Sequence, residues 1–173
     1  MIRETEKRLL PGAACAVLFV HGILGSPAQF APFLPLVPQD WSFCNLLLQG
    51  HGGGVRDFSA ASMAVWREQT RQAFAELRAQ HETVVIAAHS MGTLFAVQEA
   101  VRSPVEGLFL LNVPLHVHVR PRALHNAWLN YGGTPRDPWG QAAVAAYGVE
   151  RDRNVLHYVG WPPRFFELFG EIR

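Results

Sequence analysis

The chain has 173 residues, 49% of them hydrophobic and 17% charged, with a formal net charge of +1. That length supports one domain with a real buried core, and that composition excludes a disordered chain. The near-neutral balance gives no basic field for nucleic acid, and no apolar run reaches the length of a transmembrane helix, so neither a nucleic-acid partner nor a membrane span is expected.

Residues 1–12 are polar, end in the turn signal Pro11-Gly12, and read as a lead-in with a short edge strand. The first eight residues are charged and carry no signal-peptide pattern, which predicts a cytoplasmic protein. Residues 14–20 are continuously apolar, the pattern of a strand buried on both faces of a parallel sheet. Ser26-Pro27 fits a helix start, with Phe30, Phe33 and Leu34 at helical spacing and Pro35 and Pro38 as the stop. Residues 41–48 form the second predicted strand, running into Gln49-Gly50-His51-Gly52-Gly53-Gly54. Residues 59–80 predict one long amphipathic helix, capped by Ser59 or Ser62, with Met63, Trp66, Thr70, Ala73, Phe74 and Leu77 on its buried face. A third strand covers 83–88, a helix continues to about Arg102 before Ser103-Pro104, and a fourth strand covers 107–113. Strands alternating with helices predict an α/β fold with a doubly wound, mostly parallel sheet that binds ligand at its carboxyl edge. Cys15 and Cys44 lie at or within adjacent predicted strands and read as free thiols, with a bridge left open because spacing does not test geometry.

Two turns on that edge carry chemistry. The apolar strand ending at Ala88 meets His89-Ser90-Met91-Gly92 and then a helical pattern. Strand, sharp turn with a central serine, then helix is the setting of a nucleophile elbow, and it needs small residues two positions either side, here Ala88 and Gly92. The bland alternative is that Ser90 only caps the helix. The earlier strand meets His21-Gly22-Ile23-Leu24-Gly25, whose glycines let backbone approach a ligand. An oxyanion hole needs one N–H after the nucleophile and one from the loop after an earlier strand, which selects Met91 and Ile23. His51 is a candidate base on residue type alone.

These pieces, His21 to Ser26, Gln49 to Gly52, Trp66 in the following helix and His89 to Gly92, resemble the α/β-hydrolase superfamily, and within it the small bacterial carboxylesterases and monoacylglycerol lipases. The likeness covers residues 15–113. It implies the α/β-hydrolase fold, Ser90 as catalytic nucleophile, Ile23 and Met91 as the oxyanion hole, and His21 and His51 as structural loop residues. It implies no cofactor and no metal, and a small-molecule carboxylic ester with an apolar acyl group as substrate. Residues 1–114 then form the N-terminal part of the core, 115–160 a cap- or lid-like insertion, and 161–173 a helix leading back toward the core. In that family the catalytic acid and then the histidine follow later strands. The chain reaches Arg173 before either, so the resemblance implies a fold incomplete at its C-terminus, with both groups beyond Arg173.

Within the chain, Asp137 or Asp152 followed by His157 keeps the order of nucleophile, acid and base. An incomplete sheet leaves an open edge, through which self-association is expected. Trp128, Leu129, Tyr131, Trp139, Tyr147, Tyr158 and Trp161 are candidates for an apolar acyl pocket. His116-x-His118 supplies two ligands where a zinc site needs three or four. The leading function is a serine hydrolase of carboxylic esters. A non-catalytic small-ligand-binding protein, a thioesterase and a C–C bond hydrolase are the alternatives on the same fold.

Overall fold

The architecture follows from one reversal of chain direction across the sheet. A computed structural model describes residues 4–116 and 138–172. Its strands are β1 (Glu6–Arg8), β2 (Cys15–Val20), β3 (Ser42–Leu46), β4 (Thr83–His89) and β5 (Gly107–Leu111), in the spatial order β1-β3-β2-β4-β5. β1 pairs antiparallel with β3, and the other neighbours are parallel. From β2 the chain moves outward to β3, then returns past β2 to β4. The carboxyl ends of β2 and β4 therefore flank the switch point, where open α/β sheets bind ligands. Right-handed crossovers put the connections of the two directions on opposite faces.

Both faces are apolar, as the unbroken strand sequences require. Ala16, Leu18, Val20, Ile86 and Ala88 pack under α2 (Met63–Arg78) and α3 (Met91–Arg102). Val17, Phe19, Phe43 and Ala87 face the other way, against Phe30 and Val37. All six residues of the predicted α2 face are buried. Trp66 is fully buried, and its indole N–H donates to the Gln49 carbonyl at 2.7 Å, which fixes the glycine loop to the helix.

The expected helix over 59–80 is two helices. α1 (Val55–Ala60) ends at Ala61, whose backbone is extended, and Ser62 opens α2 by accepting from the Val65 N–H at 3.3 Å. The helix expected from Ser26-Pro27 is instead two single 3₁₀ turns, Pro27–Phe30 and Leu34–Leu36. Pro32 and Pro35 explain this, since each removes an N–H donor and its ring clashes with the preceding turn. Ser26 still accepts from the Ala28 N–H, so the capping chemistry survives on the shorter turn. Strand β1 is charged along its length and holds by pairing at the edge, with Arg8 donating to the carbonyls of Pro38 and Trp41.

Beyond the core strands, α4 (Pro138–Ala145) precedes a 3₁₀ turn at Val155–Gly160 and α5 (Trp161–Glu171). Helix α5 docks on α2 and α3: Glu167 accepts from the Met63 N–H at 2.9 Å, and Glu171 binds Arg67 and Gln98. Trp161 is buried against Phe58 and donates to the Val55 carbonyl, and Tyr158 packs on Trp161. These two candidates for an acyl pocket are thus packing residues of α1 and α5. Trp128, Leu129, Tyr131, Asp137 and His118 lie outside the described residues. Cys15 and Cys44 are both free. No described helix is long and apolar enough to cross a membrane, and no cluster of three metal-ligating side chains occurs among the described residues.

Among the described residues no strand pairs with the outer edge of β5. That edge carries neither charge nor proline, and Phe109 is 64% exposed beside an open apolar groove of about 450 Å³ that also includes Phe33 and Leu36. On the opposite face Val101 of α3 is 82% exposed. Nothing on β5 itself blocks antiparallel pairing with a second copy. The 173-residue chain expressed by itself is expected to self-associate, and Phe109→Lys to suppress this. Light scattering that finds a monomer of 19.2 kDa for the unsubstituted chain contradicts it.

Candidate active site

Ser90 sits between β4 and α3 with φ 50° and ψ −120°. This backbone is strained for any residue with a Cβ, at a cost on the order of 1–3 kcal/mol. Three bonds hold it there: the Ser90 N–H donates to the Leu111 carbonyl at 2.9 Å, and the Ser90 carbonyl accepts from both the N–H and the hydroxyl of Thr93. The side chain makes no capping bond to α3, so the capping alternative fails and the half-buried hydroxyl is left to other work.

Neighbouring backbone closes around this turn. A Cβ on Gly92 would press into the carbonyl oxygens of Val20 and His21, and one on Gly22 would meet the Ser90 Cβ and the His89 Nδ1 at 3.0 Å. Gly92 has no room for a side chain, and Gly22 sits at the contact limit, because the ends of β2 and β4 approach so closely. The glycine turn after β2 is thereby set against the serine.

Within that turn the donors are almost all committed. The Gly22 N–H donates to the Gln29 side chain at 3.0 Å, the Leu24 N–H to His51 Nε2 at 3.1 Å, and the Gly25 N–H to the Gly22 carbonyl at 3.0 Å. Among the described residues, Ile23 is the one of these four whose N–H meets no acceptor. Met91 is the first residue of α3, where an N–H has no partner within the helix and the helix dipole favours negative charge. The structure thus brings Ser90, Ile23 and Met91 to one edge.

The two loop histidines are braces. His21 donates from Nδ1 to the Gly22 carbonyl at 2.8 Å and accepts at Nε2 from the Leu48 N–H at 3.1 Å. His51 donates from Nδ1 to the Leu48 and Gln49 carbonyls and accepts at Nε2 from Leu24. Their rings lie 4.7 Å apart, edge to face. Burial pushes the His21 imidazole down to about 4 and holds His51 well below the usual histidine range. With both ring nitrogens in use and protonation disfavoured, neither is placed to take a proton from Ser90. His89 is half-buried against Gly22, and desolvation lowers its pKa as well.

Asp152 and His157 do form a pair. Asp152 accepts from His157 Nδ1 at 2.5 Å, which is the first cause of its lowered carboxyl pKa. However, His157 Nε2 faces Arg56 at 2.5 Å and Asn154 at 3.1 Å. Among the described residues no bond links it to Ser90, so the triad sequence order allowed is not assembled.

Gln29, Thr93 and, apart from Tyr147 as a candidate for the acyl pocket, the segment Ala146–Glu150 are not legible in the sequence as site residues. Gln29 is an ordinary polar residue on a surface turn until its carbonyl meets Gly22, and Gly148 is one glycine among many until the loops are brought together.

A mostly parallel sheet, a serine at a strained strand-to-helix turn and a glycine turn from the adjacent strand beside it define the α/β-hydrolase class of structures. Residues 17–171 match the alpha/beta hydrolase family, and the chain belongs to it. Among solved structures, it is similar to one of the metagenome-derived lipolytic enzymes LipS and LipT, with a TM-score of 0.59 and 23% identity over 79% of this chain and 54% of that one. It is also similar to a monoacylglycerol lipase of Paleococcus ferrophilus (TM-score 0.61, 16% identity, 99% of this chain and 72% of that one). The bottromycin epimerase BotH matches equally well in fold (TM-score 0.61, 21% identity, 99% and 75% of the two chains). The chain thus spans about half the length of the first of these enzymes. No curated protein sequence matches it.

Proposed function

We propose that the chain carries the nucleophile and oxyanion hole of a serine hydrolase acting on carboxylic esters, of the carboxylesterase or monoacylglycerol-lipase kind. The observation that carries this is the strained Ser90, whose side chain makes no capping bond, beside a glycine turn in which, among the described residues, the uncommitted N–H of residues 22–25 is that of Ile23. In this reading the Ser90 Oγ attacks the ester carbonyl carbon, and its proton passes to a base. The Ile23 and Met91 N–H groups hold the oxyanion of the tetrahedral intermediate. The C–O bond to the alcohol then breaks, and the base returns the proton to the leaving oxygen. Water attacks the acyl-serine as the base takes up its proton, the bond between the acyl carbon and Ser90 Oγ breaks, and the base returns the proton to Oγ, releasing the acid and regenerating the Ser90 hydroxyl. The base and its orienting acid come from outside the described residues.

Residues 115–160 serve as the cap over this edge, a reading supported by the hydrogen bonds from residues 146–150 to both glycine loops. Their aromatic content suits an apolar acyl group. A fluorophosphonate probe on the full-length protein, followed by peptide mass spectrometry, tests the nucleophile directly. The expected result is one label, on Ser90. An unlabelled folded protein would favour the non-catalytic binding alternative, and thioester turnover far above oxoester turnover would favour the thioesterase.

A further inference from the structure

The loop that presents Ile23 is held from outside the N-terminal core. Leu24, the next residue, has φ 57°, in the left-handed region where a branched side chain is strained. Such a residue persists only if its peptide groups are fixed on both sides. Its N–H goes to His51, and its carbonyl accepts from the Gly148 N–H at 2.8 Å. The Gly148 carbonyl in turn accepts from the Gly52 N–H, so the two peptide groups of one residue tie the Ile23 loop to the His51 loop.

The flanking contacts repeat the pattern. Glu150 donates its N–H to the Gly53 carbonyl at 2.8 Å, and Ser26 donates its hydroxyl to the Ala146 carbonyl at 3.1 Å. Tyr147 forms an antiparallel bridge with Gly25. The fit is close: a Cβ on Gly148 would fall inside the van der Waals shell of the Gly25 carbonyl oxygen.

We infer that Ala146–Glu150 is a strap that sets the oxyanion loop, with Gly148 and Ser26 as positioning residues for the Ile23 N–H. The strap continues directly from α4, joined by the turn from the Tyr147 N–H to the Val144 carbonyl. The cap-side segment and the oxyanion donor therefore move together, and displacement of one is felt at the other. The consequence for turnover rests on the hydrolase reading above; the consequence for the loops does not.

The experiment uses the full-length protein with Gly148→Ala, which pushes the strap off Gly25, and Ser26→Ala, which removes the bond to the Ala146 carbonyl together with the cap on the Ala28 N–H and adds no bulk. Ser26→Ala keeps the test open should Gly148→Ala fail to fold. Amide exchange is read on peptides spanning residues 22–26 and 50–54, and ester turnover is split into kcat and KM. Exchange should rise at least tenfold in both peptides for Gly148→Ala, and to a smaller degree in the 22–26 peptide for Ser26→Ala. A donor misplaced by about 1 Å lowers kcat by up to about 10²-fold with KM nearly unchanged. Unchanged exchange in a folded variant overturns the strap. Raised exchange with kcat unchanged, in a wild-type protein that turns over ester through Ser90, overturns its positioning role. Raised exchange in a protein that neither labels at Ser90 nor cleaves esters upholds the strap as the link between the loops and defeats the hydrolase reading instead.

Discussion

Ser90→Ala in the full-length protein is expected to reduce ester turnover by about 10⁴-fold or more, because loss of the nucleophile leaves only binding and the oxyanion hole. KM should change little, since among the described residues the hydroxyl makes no capping bond that a substrate would have to replace. Stability supplies an independent reading of the same residue. Alanine keeps a Cβ at φ 50° and ψ −120°, so the strain stays and the unfolding free energy should be nearly constant. Ser90→Gly removes the strain, on the order of 1–3 kcal/mol, against about 0.5–1 kcal/mol for the extra freedom of glycine in the unfolded chain. A net gain of about 1 kcal/mol together with lost turnover is the signature of a residue held strained for its chemistry. Chemical denaturation of the three proteins beside an ester assay reads both quantities. Wild-type turnover in Ser90→Ala would remove Ser90 from the mechanism altogether.

The elements that sequence made legible are those fixed by short-range pattern. Helix α2 is one: the period of Met63, Trp66, Thr70, Ala73, Phe74 and Leu77 can bury only one face, and that face is buried. The elbow is another, because a strand running into a small-residue turn and then a helix leaves few conformations to the serine between them. The misread turn at residues 26–36 shows the opposite case. Phe30, Phe33 and Leu34 kept helical spacing, but Pro32 and Pro35 fall inside the segment and limit each turn to a few residues. Glu6, Lys7 and Arg8 carry no strand pattern, because an edge strand exposed on both sides is specified by its partner β3 rather than by its own residues.

The candidate site divides in the same way. Ser90, Gly22 and Gly92 could be found locally, since each lies in a short strand-to-turn pattern, although what crowds the two glycines is the opposite strand end. What singles out Ile23 as the proposed donor is long-range. Gln29 and His51 remove the competing N–H groups, and Gly148 arrives from more than 120 positions along the chain to hold the loop. Those contacts depend on the register of β2 with β4 and on the path of the chain after α4, which no local pattern encodes. His51 shows how residue type misleads by itself. An imidazole on a glycine loop near a serine invites the role of base, yet its two nitrogens are consumed by Leu24 on one side and by the Leu48 and Gln49 carbonyls on the other.

The same two imidazoles set the expected response to acid. His21 and His51 are buried as neutral rings, because desolvation penalises the cation, and for His51 the neighbouring His21 adds to this. In the unfolded chain each titrates near 6.5, and in the folded protein His21 titrates near 4 and His51 well below its usual range. Below about pH 6.5 the unfolded state therefore binds protons that the folded state refuses, and stability falls as pH drops toward 4. The contribution is fully present above pH 6.5. For His21 alone the loss by pH 4 is roughly 3 kcal/mol, and His51 adds to it. Half-buried His89 acts in the same direction, whereas the raised carboxyl pKa of Glu99, also caused by burial, works weakly against them. A loss of this size is a large part of the total for a small domain, which is typically 5–15 kcal/mol. Urea midpoints measured from pH 7.5 to 4.5 should fall steeply, with the His21 and His51 ring resonances still neutral in the folded protein at pH 5.5. Midpoints flat across that range would mean that these rings are solvated. Because His21 braces Leu48 and His51 braces Leu24, the first cooperative opening on acidification is expected at the two glycine loops, and ester turnover should fall before the core strands exchange their amides.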